Sequence, residues 1–124
     1  MTYDVDEAPD PKAWLELDED ERINLAVDHH RRVLDDPPNL RLHAAIHVVV
    51  ENQLAMGLES AARALRRLMD EGLDRHDAVH AVGSVVAEQM HELLVEGSAA
   101  ADPQGSYDRK LDELTAEGWR KSFE

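Results

Sequence analysis

The chain contains no cysteine. Disulfides, thiolate metal sites and cysteine nucleophiles are therefore excluded. Positive charge is scarce too: 13 lysines and arginines stand against 27 acids, for a net charge of -14. Such a chain repels phosphates, so neither nucleic acid nor an anionic membrane is an expected partner. No apolar run approaches membrane-spanning length. The six glycines are scattered and three of them end helices, which leaves no Gly-rich phosphate loop. The stretch MTYDVDEAPDPK is acidic and polar, unlike a secretory signal, and the expected compartment is the cytoplasm.

What remains is a chain of 124 residues, 43% hydrophobic, enough for one small domain with a modest core. The apolar spacing is helical throughout, and no strand pattern stands out. Residues 1–17 read as an acidic arm, flexible as far as Lys12, with Trp14, Leu15 and Leu17 to pin its end. A bundle domain is expected over 18–97. Its first helix follows an Asp18 cap, with Ile23, Ala26, Val27, His30, Val33 and Leu34 inward, and stops at Asp35-Asp36-Pro37-Pro38. Asn39 caps a second helix that ends near Gly57, and a third spans Ser60 to Glu71 and closes at Gly72. Asp74 caps a fourth that runs to Gly97. Residues 98–106 read as a linker and 107–124 as a last short helix packed on the bundle. The expected fold is all-α, a four-helix bundle-like core of two helical hairpins plus a short C-terminal helix.

Four of the seven histidines fall in two matched pairs, His43/His47 and His76/His80, each within the pattern His-x-Ala-Ile/Val-His. Positions i and i+4 lie one above the other on a helix, the spacing with which two imidazoles chelate one ion. Both pairs lie on the inward faces of their helices. A shift of 33 residues superposes His43 on His76, Ala45 on Ala78, Ile46 on Val79 and His47 on His80. Two hairpins related by a pseudo-twofold axis would bring the second and fourth helices together, with four imidazoles facing one another. The residues beyond His80 are small (Gly83, Ser84, Ala87), suited either to leaving room for a ligand or to close helix packing.

A lone buried histidine usually satisfies a core hydrogen bond, but four buried imidazoles need partners, and an ion or hydrogen-bonded carboxylates would supply them. The first ligand candidates are His43, His47, His76 and His80. Glu51 follows, one turn beyond His47, and Glu88 and His91 lie further along the fourth helix as ligands or orienting groups. His30 is a candidate fifth imidazole, and His29 is expected to face solvent. Imidazole with carboxylate and no sulfur suits iron or zinc first, with manganese, nickel and copper also compatible. Peptide hydrolysis is not expected, because neither pair carries the glutamate of a His-Glu-x-x-His motif. A mid-helix Ser84 lacks the strand–turn–helix elbow of a nucleophile.

The run HAAIHVVVENQLA, followed by RLMDEGLDRHDAVHAVGSVVAE, resembles domain-of-unknown-function family 1841, an uncharacterised bacterial family of small helical proteins, or a close relative of it. The resemblance covers Asn39 to about Leu94 and extends to Tyr107, Leu111 and Leu114. It rests on the paired His-x3-His elements, Gln53 and Glu88. Members can carry a glutamate four residues after the second pair, where this chain has Ser84, a departure that weighs against a symmetric two-metal site. The resemblance implies a helical unit with functional histidines and brings no activity with it.

Two functions follow as expectations. One is a helical protein that binds one or two transition-metal ions between its second and fourth helices, for oxidation, hydrolysis, storage or sensing, with any small-molecule ligand unspecified. The other is a non-catalytic interaction module, such as a homodimer, whose buried histidines form a pH-sensitive hydrogen-bond network.

Overall fold

The computed structural model describes residues 2–33, 40–96 and 102–121, apart from the side chains of 30–33, 95 and 96. The expected stop at Pro37, the Asn39 cap, the Gly97 end, residues 98–101 of the expected linker and the ring of His30 lie outside the described residues. Within them the fold is all-α, with helices α1 (Pro11–Glu16), α2 (Glu19–Val33), α3 (Leu40–Ala55), α4 (Glu59–Asp70), α5 (Arg75–Glu96), α6 (Pro103–Glu113) and α7 (Ala116–Lys121). None of these helices is long and apolar enough to cross a membrane.

Local chemistry sets the helix boundaries. Asp18 accepts from the Glu21 amide at 2.8 Å and Asp74 from the Asp77 amide at 2.8 Å, so both expected N-caps form. Gly57 and Gly72 stand at φ 77° and 108°, the left-handed conformation that ends α3 and α4. Beyond each glycine the next amide returns to a helix carbonyl, Leu58 to Gln53 at 2.9 Å and Leu73 to Leu68 at 3.1 Å.

The two ends of the chain depart from the sequence expectation for one shared reason. Asp10-Pro11 and Asp102-Pro103 each start a helix, with the aspartate as N-cap and the proline in the first turn. Asp10 accepts from Ala13 N at 2.9 Å, and Asp102 accepts from Gly105 N at 3.0 Å. The expected arm therefore contains α1, and α6 begins inside the expected linker. The single last helix is in fact two, because Leu114 is extended and Thr115 then caps α7 through Gly118 N at 2.9 Å.

Helix α3 is the hub, packed by α1, α2, α4 and α5, while α6 lies across α4 and α5. Ala44, Val48 and Val50 on α3 are fully buried, as are Ala78, Val82 and Ala81 on α5. Where α3 and α5 cross, a side chain on the buried Gly83 would stand 3.0 Å from Ile46 Cγ2. Close helix packing is thus what Gly83 provides.

The N-terminal stretch is a strap and not a loose arm. Tyr3 and Val5 are buried, and Trp14 is 0% exposed. Trp14 donates from Nε1 to Asn52 Oδ1 at 2.9 Å, and Arg22 reaches the same oxygen at 3.1 Å, which fastens α1 and α2 to α3. Burial of about 150–250 Å² of aromatic surface per ring makes such a strap worth its ordering entropy.

Both tyrosines of the chain are held neutral. Burial pushes the Tyr3 hydroxyl far above its ordinary value of about 10, and the Glu51 charge adds to that. Burial raises Tyr107 to about 12, despite the opposing hydrogen bond to Gln53. Above pH ~10 the unfolded chain releases these protons while the folded chain keeps them, so stability falls as pH rises further. In a spectrophotometric titration, tyrosinate absorbance is expected to stay at baseline through pH ~10 and to appear together with loss of helical circular dichroism. A smooth rise centred near pH ~10 with the helices intact would contradict this burial.

Candidate metal centre

Helices α3 and α5 bring the histidine pairs together as the repeat suggested. His43, His47 and His80 each offer a ring nitrogen, and these nitrogens all lie within 4.8 Å of one another. Ring centroids are 4.9 Å apart for His43–His47, 4.8 Å for His43–His80 and 4.6 Å for His47–His80. Nitrogens about 2.0–2.1 Å from one tetrahedral ion stand roughly 3.4 Å apart. His76 stands at the edge of this group, 4.4 Å from the His80 ring and 6.3 Å from that of His47.

The protonation state suits a ligand. Burial, and secondly the charge of His76, push His43 below the ordinary imidazole value, so the ring is held neutral. A neutral imidazole is the form that coordinates a cation. His47 is buried and His80 half-buried, so the group sits at the boundary of core and surface.

The other sequence candidates lie elsewhere. Glu51 does extend the His43–His47 column by a turn, but its carboxylate is engaged by Arg75. Arg75 Nη2 donates to Oε1 at 2.8 Å and Nη1 to Oε2 at 2.9 Å, and the Tyr3 hydroxyl also donates to Oε2, at 2.5 Å. Arg75 in addition donates to the Val5 carbonyl at 2.7 Å, which ties the strap to the pair. Burial alone would lower the Arg75 pKa, but the hydrogen bond and charge of Glu51 outweigh it and raise it. Glu88 is exposed and pairs with Lys110 at 3.2 Å, and Lys110 also holds Glu92 at 3.0 Å, which clasps α6 to α5. His91 is exposed on α5. Gln53 accepts from the Tyr107 hydroxyl at 2.6 Å and docks α6.

His29 does not face solvent as expected. It is 6% exposed, with its ring edge-on to Tyr3 at 5.4 Å. The strap covers a helix face that would otherwise be wet, and nothing in the local sequence announces that cover.

A pocket of about 390 Å³ opens beside the imidazoles. His43, His47 and His80 form part of its wall, Ile46, Val79, Gly83 and Ala87 line its apolar side, and Ser84 and Trp119 complete it. Ser84 turns its hydroxyl back to the Ala81 carbonyl at 2.6 Å. Trp119 is a pocket residue that no motif in the sequence points to. Arg67 caps the end of α6 by donating to the Leu111 and Leu114 carbonyls at 2.9 and 2.6 Å, and Glu71 accepts from Ala116 N at 2.9 Å. Those contacts set α7 where Trp119 reaches the histidine pocket.

Comparison with family models, with curated proteins and with solved structures finds no match to this chain. The functional reading therefore rests on geometry and chemistry alone.

Proposed function

We propose that the chain binds a divalent transition-metal ion through His43, His47 and His80, with His76 at the edge of the site. The observation that carries this reading is the convergence of three imidazole nitrogens, from two helices, within 4.8 Å of one another. Burial that favours the neutral ring of His43 supports it. Three imidazoles without a carboxylate, among the described residues, favour zinc over the two-histidine, one-carboxylate arrangement of non-haem iron.

Binding to the folded state alone stabilises it by linkage, about 2.7 kcal/mol at a free-ion concentration one hundred times the Kd. Zinc added to metal-stripped protein should raise the melting temperature of the wild type and of His91→Ala. The same addition should leave His47→Ala and His80→Ala at their own apo values. An equal response in all four proteins, or none in the wild type, would count against this site.

A further inference from the structure

Structural zinc sites close with four protein ligands, whereas three protein ligands leave a position for a ligand from outside. His43, His47 and His80 supply three, and the same rings form part of the wall of the 390 Å³ pocket. That volume lies within the range of about 300–1,000 Å³ typical of small-molecule sites. Three neutral imidazoles leave both charges of a divalent ion unbalanced, which favours an anionic head group. No aspartate or glutamate lines the pocket among the described residues, although the chain has 27 acids, so none of those lining side chains repels such a group. No lysine or arginine is among those lining residues either, so none of them offers a second anionic group a charged partner.

We infer that this pocket takes a small monocarboxylate with an aromatic or branched aliphatic body, its carboxylate at the ion held by His43, His47 and His80 and its body against Ile46, Val79, Ala87 and Trp119. The inference rests on the metal reading above. Ala87 and Trp119 set the specificity: one leaves the space and the other, carried by α7, walls it.

The test uses the whole chain loaded with cobalt(II), whose visible absorption reports its ligands, titrated with acetate and with phenylacetate. The two probes share a head group and differ in the apolar body. Phenylacetate is expected to bind at least about tenfold tighter than acetate, the scale on which an apolar pocket discriminates. Ala87→Leu, which intrudes on the space for the body, and Trp119→Ala, which removes one of its walls, are each expected to bring the two probes closer to parity while acetate binding persists. Equal affinities in the cobalt-loaded wild type would overturn the inference and leave the metal site standing. A phenylacetate preference that survives Ala87→Leu would overturn the placement of the body in this pocket. Failure of cobalt to bind would overturn the inference together with the metal reading.

Discussion

Arg75→Met is expected to cost about 3–5 kcal/mol of folding stability, among the largest losses available from a single substitution in this chain. Arg75 and Glu51 are 8% and 2% exposed and meet through two parallel hydrogen bonds, so neither charge has water to fall back on. Methionine fills much of the volume of the arginine stem but leaves the Glu51 carboxylate with the Tyr3 hydroxyl as its remaining donor of the three. It also releases the Val5 carbonyl, and with it one anchor of the strap. An uncompensated buried charge is far costlier than the net contribution of the pair, so Glu51→Leu/Arg75→Met together should recover much of the loss. Urea denaturation of the three proteins measures both. A loss below about 1 kcal/mol for Arg75→Met would place the pair in the class of surface ion pairs and contradict its burial.

Trp14→Ala is expected to cost about 3–5 kcal/mol as well, by a different mechanism. The ring is 0% exposed, lies 5.6 Å from Tyr3, and hydrogen-bonds Asn52. Its removal opens a cavity between α1 and α3 and withdraws the support of the strap. Against a total stability of about 5–15 kcal/mol for a domain, either loss approaches the margin that keeps the fold populated. Trp14→Phe keeps most of the apolar volume and gives up the N–H, while Arg22 still donates to Asn52, so its cost should be clearly smaller. Hydrogen exchange should show the strap opening in Trp14→Ala before the rest of the chain. Equal, small effects of the two substitutions would mean that α1 contributes little to the core.

The contrast between these strap residues and the histidines shows what the sequence made legible. The i, i+4 spacing of His43/His47 and His76/His80 states a face, and the repeat of the pattern states which two faces meet. Asp18, Asp74, Gly57 and Gly72 act within one turn of where they stand, so their roles could be read locally. Glu51 shared the face of the histidines, yet its partners lie 24 and 48 residues away in the chain, at Arg75 and Tyr3. Periodicity assigns a residue to a side of a helix and does not say what comes to cover it. His29 was misplaced for the same reason, since its cover arrives from Tyr3. The helix starts at Asp10-Pro11 and Asp102-Pro103 were legible in principle. Proline marks an interruption within a helix but a beginning when an aspartate cap precedes it, and at Asp10 and Asp102 the second meaning holds.

Metal content tests the histidine site most simply. Tag-free protein, stripped by chelation, re-exposed to zinc and desalted, is to be measured by elemental analysis beside a His47→Ala/His80→Ala variant. About one ion per chain is expected in the wild type, held by the three convergent imidazoles, and none in the variant. Zinc retained equally by both proteins, or by neither, would contradict the site.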